Sequence, residues 1–146
     1  MLIRPMVAGD RLGWDPLWQG YLTFYKASVD AATTDLTFQR LTSGSEPMGA
    51  FLAVEDSGRA VGVVHWILHR SCWTQGDYCY LQDLFVIPEL RGQGVGRQLI
   101  DAVYTRSAEA GASRVWWLTH ETNTDAMHLY DKIATRSGFI QYRKML

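Results

Sequence analysis

The chain has 146 residues, of which 14 are basic and 15 acidic, for a formal net charge of -1. That length suits one domain, expected over residues 1–146, with a core that needs no staple, and the balanced charge excludes a basic footprint for nucleic acid or an anionic membrane. No apolar run approaches a membrane span and the opening MLIRPMVAGD is too polar for a secretory leader, so the chain reads as cytoplasmic.

After a short strand over Leu2 to Arg4, the residues Trp14, Trp18, Tyr21 and Tyr25 recur at helical spacing, which predicts an amphipathic helix over about residues 9 to 27. Stripes of this kind usually face a core, and one or two of these rings, or Trp73, are expected to reach a binding pocket instead. A shorter helix is expected over about residues 31 to 42. The period then changes to two. AFLAVE (50 to 55), AVGVVHWIL (60 to 68) and YCYLQDLFVI (78 to 87) read as antiparallel strands, the first two joined by the hairpin signal DSGR. A helix with the stripe Leu99, Ile100, Val103 and Tyr104 follows and ends at Gly111. RVWWLTH (114 to 120) reads as a strand, Asn123 to Arg136 as a helix, and GFIQYRKML as a closing strand. This order predicts a mixed sheet with helices on its faces.

Cys72 and Cys79, with six residues between them, fit neither a redox pair nor a zinc knuckle and read as buried or half-buried thiols. The pairs His65/His69 and His120/His128 have no further ligands at metal spacing, so no metal is expected.

The segment LRGQGVGRQL, residues 90 to 99, puts three glycines where a strand hands over to a helix. Glycine weakens both neighbours, so its use here implies close approach of a ligand to the backbone. Backbone N–H groups at such a turn, together with the helix dipole, suit an anion, most often a phosphate. The dinucleotide fingerprint GxGxxG fails because Arg97 stands where its third glycine belongs, and no Walker lysine is present.

What fits is RxxGxG, Arg91 to Gly96, preceded by LFVIP. In this loop, and in Asn123, Tyr130 and the later Gly138–Phe139 pair, the chain resembles the GCN5-related N-acetyltransferases, most closely from Tyr80 to Arg143 and especially their small-molecule and polyamine branch. The resemblance implies the acyl-CoA N-acyltransferase fold, an α/β (α+β) arrangement whose mixed, mostly antiparallel central sheet splays between its fourth and fifth strands. It also implies acetyl-CoA as co-substrate, a small primary amine as acceptor, and a homodimer, for which 12% aromatic residues leave surface to spare.

By the same resemblance, the backbone of Leu84, Phe85 and Val86 would pair with the pantetheine arm like an added strand. Gly92, Gln93, Gly94, Val95, Gly96 and Arg97 would offer N–H groups to the pyrophosphate, with Gly94 and Gly96 mattering most. Arg91 and Arg97 either add charge there or are solvated surface residues. Tyr130 matches the family's general acid, Asn123 would bind pantetheine or cap the helix bearing Tyr130, and the Val86 N–H would polarise the thioester oxygen.

The general base is the gap. Relatives carry a glutamate where this chain has Gln82 or Tyr80, and neither is acidic. Gln82 is then a candidate for positioning water or acceptor, and Glu121 is the candidate base, with His120 beside it. Asp83 would point to the opposite face of a regular strand. Two readings of the chain compete here: an N-acetyltransferase for a small amine or, second, a protein lysine; and a CoA-binding sensor or partner-binding module without turnover.

Overall fold

In the computed structural model, which describes residues 1–146, strand β1 (Leu2–Pro5) leads through a 3-10 turn (Ala8–Asp10) into helices α1 (Arg11–Phe24) and α2 (Ala31–Thr42). Strands β2 (Met48–Val54), β3 (Ala60–His69) and β4 (Tyr78–Val86) follow. A second 3-10 turn (Pro88–Leu90) enters α3 (Val95–Glu109), and β5 (Arg114–Trp116) and α4 (Thr124–Ile133) complete the order. The strands form one sheet in sequence order, antiparallel except for the parallel pair β4–β5. Helix α3 supplies the crossover that a parallel pair requires.

Alternation along the strands divides the interior into two apolar layers. On one face Trp14, Leu17, Trp18 and Leu22 of α1 and Phe38 and Leu41 of α2 pack on Leu52, Val63 and Phe85. On the other, Leu99, Ile100 and Val103 of α3 cover Ala53, Val64, Trp66, Cys79 and Leu81, with Leu129, Tyr130 and Ile133 of α4 at the margin. Gly20 lets α1 approach β4: a Cβ there would lie 2.6 Å from the Phe85 ring. Helix α2 starts at Asp30, whose carboxylate accepts from the Thr33 N–H at 2.7 Å and satisfies an otherwise orphaned donor.

Three expectations are corrected. The fifth strand is three residues long, not seven, because only Arg114 to Trp116 stay beside β4. No closing strand forms: residues 135–146 have no partner in the sheet, and Phe139, Ile140, Tyr142 and Met145 remain exposed. A strand needs a neighbour's backbone as well as an apolar sequence. Cys72 is exposed, and only Cys79 is buried.

Candidate active site

The site begins where the sheet divides. Tyr78, Cys79 and Tyr80 pair with Arg114, Val115 and Trp116, and beyond that point β4 continues to Val86 without a neighbour on its β5 side. The edge from Leu81 to Val86 is therefore open. Tyr21 of α1 and Tyr25 at its C-cap, Leu81, Gln82 and Leu84 of β4, and Trp117, Leu118 and Tyr130 line one cleft at this opening.

The backbone at the end of β4 has a defined direction. The Ile87 N–H donates to the Val61 carbonyl of β3 at 3.0 Å. Alternation along the extended chain then turns the Val86 N–H and C=O away from β3, toward the opening. The Val86 carbonyl accepts from Arg91 Nε at 3.0 Å, and the Arg91 guanidinium lies over the rings of Phe24 and Phe85. Arg91 thus braces strand and loop, a role beyond the two considered from sequence. Arg97 stands on the first turn of α3, exposed and 3.8 Å from Asp101.

The glycine loop has different reasons for different glycines. Gly92 (φ +75) and Gly94 (φ +84) occupy the left-handed region, which other residues enter at a cost. Gly94 is the N-cap of α3 and offers no side chain to the first-turn donors, so the N–H groups of Val95, Gly96 and Arg97 face outward unpaired by any cap. Gly96 has no such excuse. Its Cβ would meet only Val86 Cγ2 at 4.0 Å, an ordinary contact, so the fold itself does not ask for glycine there. Gln93 donates to the Glu89 carbonyl and closes the loop on itself.

Across the opening, Tyr130 projects from α4 edge-on to Trp117, with ring centroids 5.4 Å apart. Burial, with a smaller contribution from nearby Tyr25, pushes its hydroxyl up to about 12, so it stays protonated through neutral pH. Asn123 stands at the N-cap of α4 but makes no capping bond. Its amide donates to Thr119 Oγ1 at 3.3 Å instead. Glu121 is exposed in the turn before α4 and does not line the cleft, and His120 is tied to Thr122 Oγ1 at 2.7 Å. No group of three or more His, Cys, Asp or Glu is placed to hold a metal ion.

The face assigned to Asp83 needs correction. The β3–β4 register runs Val64↔Leu84, His65↔Asp83 and then Trp66↔Leu81, so Gln82 is an extra residue in a bulge. The bulge reverses the alternation and turns Asp83 toward α1. There Asp83 Oδ2 accepts from His65 Nδ1 at 2.8 Å, while His65 Nε2 accepts from the buried indole N–H of Trp14 at 3.0 Å. Burial, followed by the charge of this carboxylate, raises the Tyr21, Tyr25 and Tyr80 hydroxyls. Trp14 and Trp18 are core, as helical stripes usually are, whereas Tyr21 and Tyr25 reach the cleft. Trp73 sits exposed on the loop before β4.

A sheet split beside a glycine-rich, uncapped helix start, with a protonated tyrosine opposite, defines a class of acyl-transfer site. The model of the acetyltransferase (GNAT) family matches residues 14–134. The D-amino-acid N-acetyltransferase HPA3 of Saccharomyces cerevisiae is 30% identical over 145 residues, covering 99% of this chain and 90% of that protein. The thialysine N-epsilon-acetyltransferase of Sus scrofa is 31% identical over 101 residues, 69% of this chain and 54% of that protein. Among solved structures, AAC(6')-Iy in complex with the bisubstrate analog CoA-S-monomethyl-acetylneamine superposes with a TM-score of 0.84 at 21% identity, covering 99% of this chain and 98% of that one. The chain belongs to the acetyltransferase (GNAT) family, and it is an N-acetyltransferase.

Proposed function

We propose that the protein, as a single catalytic domain over residues 1–146, transfers the acetyl group of acetyl-CoA to the primary amine of a small molecule by direct attack. The observation that carries this reading is the unpaired β4 edge from Leu81 to Val86, flanked by the glycine loop on one side and Tyr130 on the other. The backbone of Leu84, Phe85 and Val86 holds the pantetheine arm as an added strand, and Asn123 contacts it from the start of α4. The N–H groups from Gly92 to Arg97 bind the pyrophosphate.

The Val86 N–H donates to the thioester oxygen as negative charge builds on it. Tyr130 protonates the departing thiolate, and burial keeps its proton in place until then. Gln82, exposed at the bulge, orients water or acceptor at the mouth of the cleft. Relatives named for D-amino acids and thialysine support a small amine as acceptor over a protein lysine.

Self-association follows from the tail. Phe139 and Tyr142 are 88% and 89% exposed in a segment without a sheet partner, and a second copy of the chain is the natural cover for them in a homodimer. Two unpaired cysteines fit the reducing cytoplasm.

Thiol release from acetyl-CoA across D- and L-amino acids, thialysine, polyamines, an aminoglycoside and a histone-tail peptide tests the reading. Turnover with one small-amine class, lost in Tyr130→Phe, is the expected result. Release with the peptide alone would replace the acceptor, and CoA binding without any release would replace the enzyme by a CoA-binding module.

A further inference from the structure

The aromatic stripe of α1 is a column of rings that runs out of the core. Trp14 and Trp18 stack with centroids 5.7 Å apart, Trp18 and Tyr21 stack at 5.5 Å, and Tyr21 meets Tyr25 at 4.9 Å. Exposure rises along the column, from 0% at Trp14 to 45% at Tyr25. It therefore ends in a tyrosine ring left half open at the cleft. Leu118, which follows β5 on the other side of the split, lines the same cleft and is 47% exposed. Two large apolar side chains thus stand uncovered at one opening.

The chemistry of the lining is uniform. Besides its aliphatic side chains, the cleft presents three phenols, one indole and the Gln82 amide, and no charged side chain lines it. One amine can be met there by a phenol oxygen or an amide oxygen. A second ammonium or a guanidinium on the same molecule would lose water without gaining a counter-charge, which costs free energy. An apolar body gains instead, because it covers Tyr25 and Leu118. If that body is aromatic it also extends the column at the centroid spacing of about 4.5–7 Å that ring pairs favour.

We infer that the acceptor is a primary amine with a single cationic centre and an apolar body, best an aromatic one, and that Tyr25 is the residue that selects it over polyamines and lysine-like amines. Tyr130 lines the same cleft, so a body seated on Tyr25 stays in the opening that holds the proton donor of the reaction. The inference rests on the acetyltransferase reading above and narrows its acceptor. The pantetheine arm is the competing occupant of this surface, and CoA affinity reports on it separately.

The test is thiol release with matched amines, in wild type and in Tyr25→Ser. Pentylamine is compared with cadaverine, which adds one terminal ammonium to the same carbon chain, and phenethylamine and the two enantiomers of phenylalanine are compared with cadaverine and the two enantiomers of lysine. In wild type, kcat/KM for pentylamine should exceed that for cadaverine by at least about tenfold, with phenethylamine higher still. Tyr25→Ser should narrow the preference for phenethylamine over cadaverine by about tenfold and leave CoA affinity by calorimetry unchanged. Equal or better use of cadaverine and lysine by wild type overturns the inference, as does a preference unchanged in folded Tyr25→Ser. A fall in CoA affinity with the preference intact would give the surface to pantetheine and overturn it as well. The wild-type comparison decides the matter if Tyr25→Ser does not fold. Absence of turnover with every amine would count against the acetyltransferase reading, a separate failure, and calorimetric binding of the same amines to the CoA-loaded protein would still decide the preference.

Discussion

Tyr80 and Trp116 stack with ring centroids 4.2 Å apart and planes 13° from parallel, and β4 and β5 separate immediately after them. The pair closes the last rung of the parallel ladder, and Trp116 Nε1 is further held by His69 Nε2 at 2.9 Å. The opening is therefore a strand separation with a clamp at its base.

Removing the clamp should cost stability and then precision. Trp116→Leu is expected to destabilise the fold by about 1–3 kcal/mol, combining lost aromatic packing with an unpaired His69 nitrogen. Urea denaturation measures it. A shift of the midpoint within error would mean that the clamp is ornamental.

The two loop glycines should respond in opposite ways. Gly94→Ala forces a side chain to φ +84 and should lower stability by about 1–2 kcal/mol. Gly96→Ala removes a weak helix residue where only Val86 Cγ2 stands near, so stability should hold or rise by up to about 1 kcal/mol. CoA affinity should nevertheless fall at least about tenfold, since one or more charge-assisted bonds to the pyrophosphate lengthen. Thermal melts paired with calorimetric CoA titration separate the two effects.

Tyr130→Phe should reduce thiol release by about 10²-fold or more while leaving CoA binding intact. The same change should alter alkaline stability. Burial raises the native Tyr130 pKa from the ordinary value near 10 to about 12, so the native state holds its proton more tightly than the unfolded chain does. The resulting stabilisation is complete below about pH 10 and is lost as pH rises toward 12. Denaturation midpoints collected from pH 8 upward should fall less steeply in Tyr130→Phe than in wild type.

Trp14→Phe deletes the indole donor to His65 Nε2 at a site closed to bulk solvent, since Trp14 is 0% exposed. A buried acceptor left alone, plus lost ring volume, predicts a loss of about 2–4 kcal/mol. Equilibrium unfolding in urea reads this directly.

Residue pattern was sufficient for what depends on neighbours in sequence. The period-two runs that became β2, β3 and β4 and the stripe that became α3 follow from local alternation and helical spacing. The same holds for the glycine handover at Gly92 to Gly96, because positive φ and an uncapped helix start are properties of a few consecutive residues. Asn123 and Tyr130 were legible only through family likeness.

The remainder depended on contacts between distant segments. GFIQYRKML has a strand's composition, yet it stays unpaired because no sheet edge of its own chain reaches it. Arg91 read as either a phosphate ligand or a solvated surface residue, and only the rings of Phe24 and Phe85, brought together by α1 and β4, reveal a bracing role for its guanidinium. The decisive case is Asp83. Nothing in LQDLFV announces a bulge, and alternation alone sends this carboxylate to the wrong face. Pairing His65 with Asp83 and Trp66 with Leu81 requires one extra residue in β4, and that single slip of register turns the acid from the α3 side of the sheet to the α1 side, against His65.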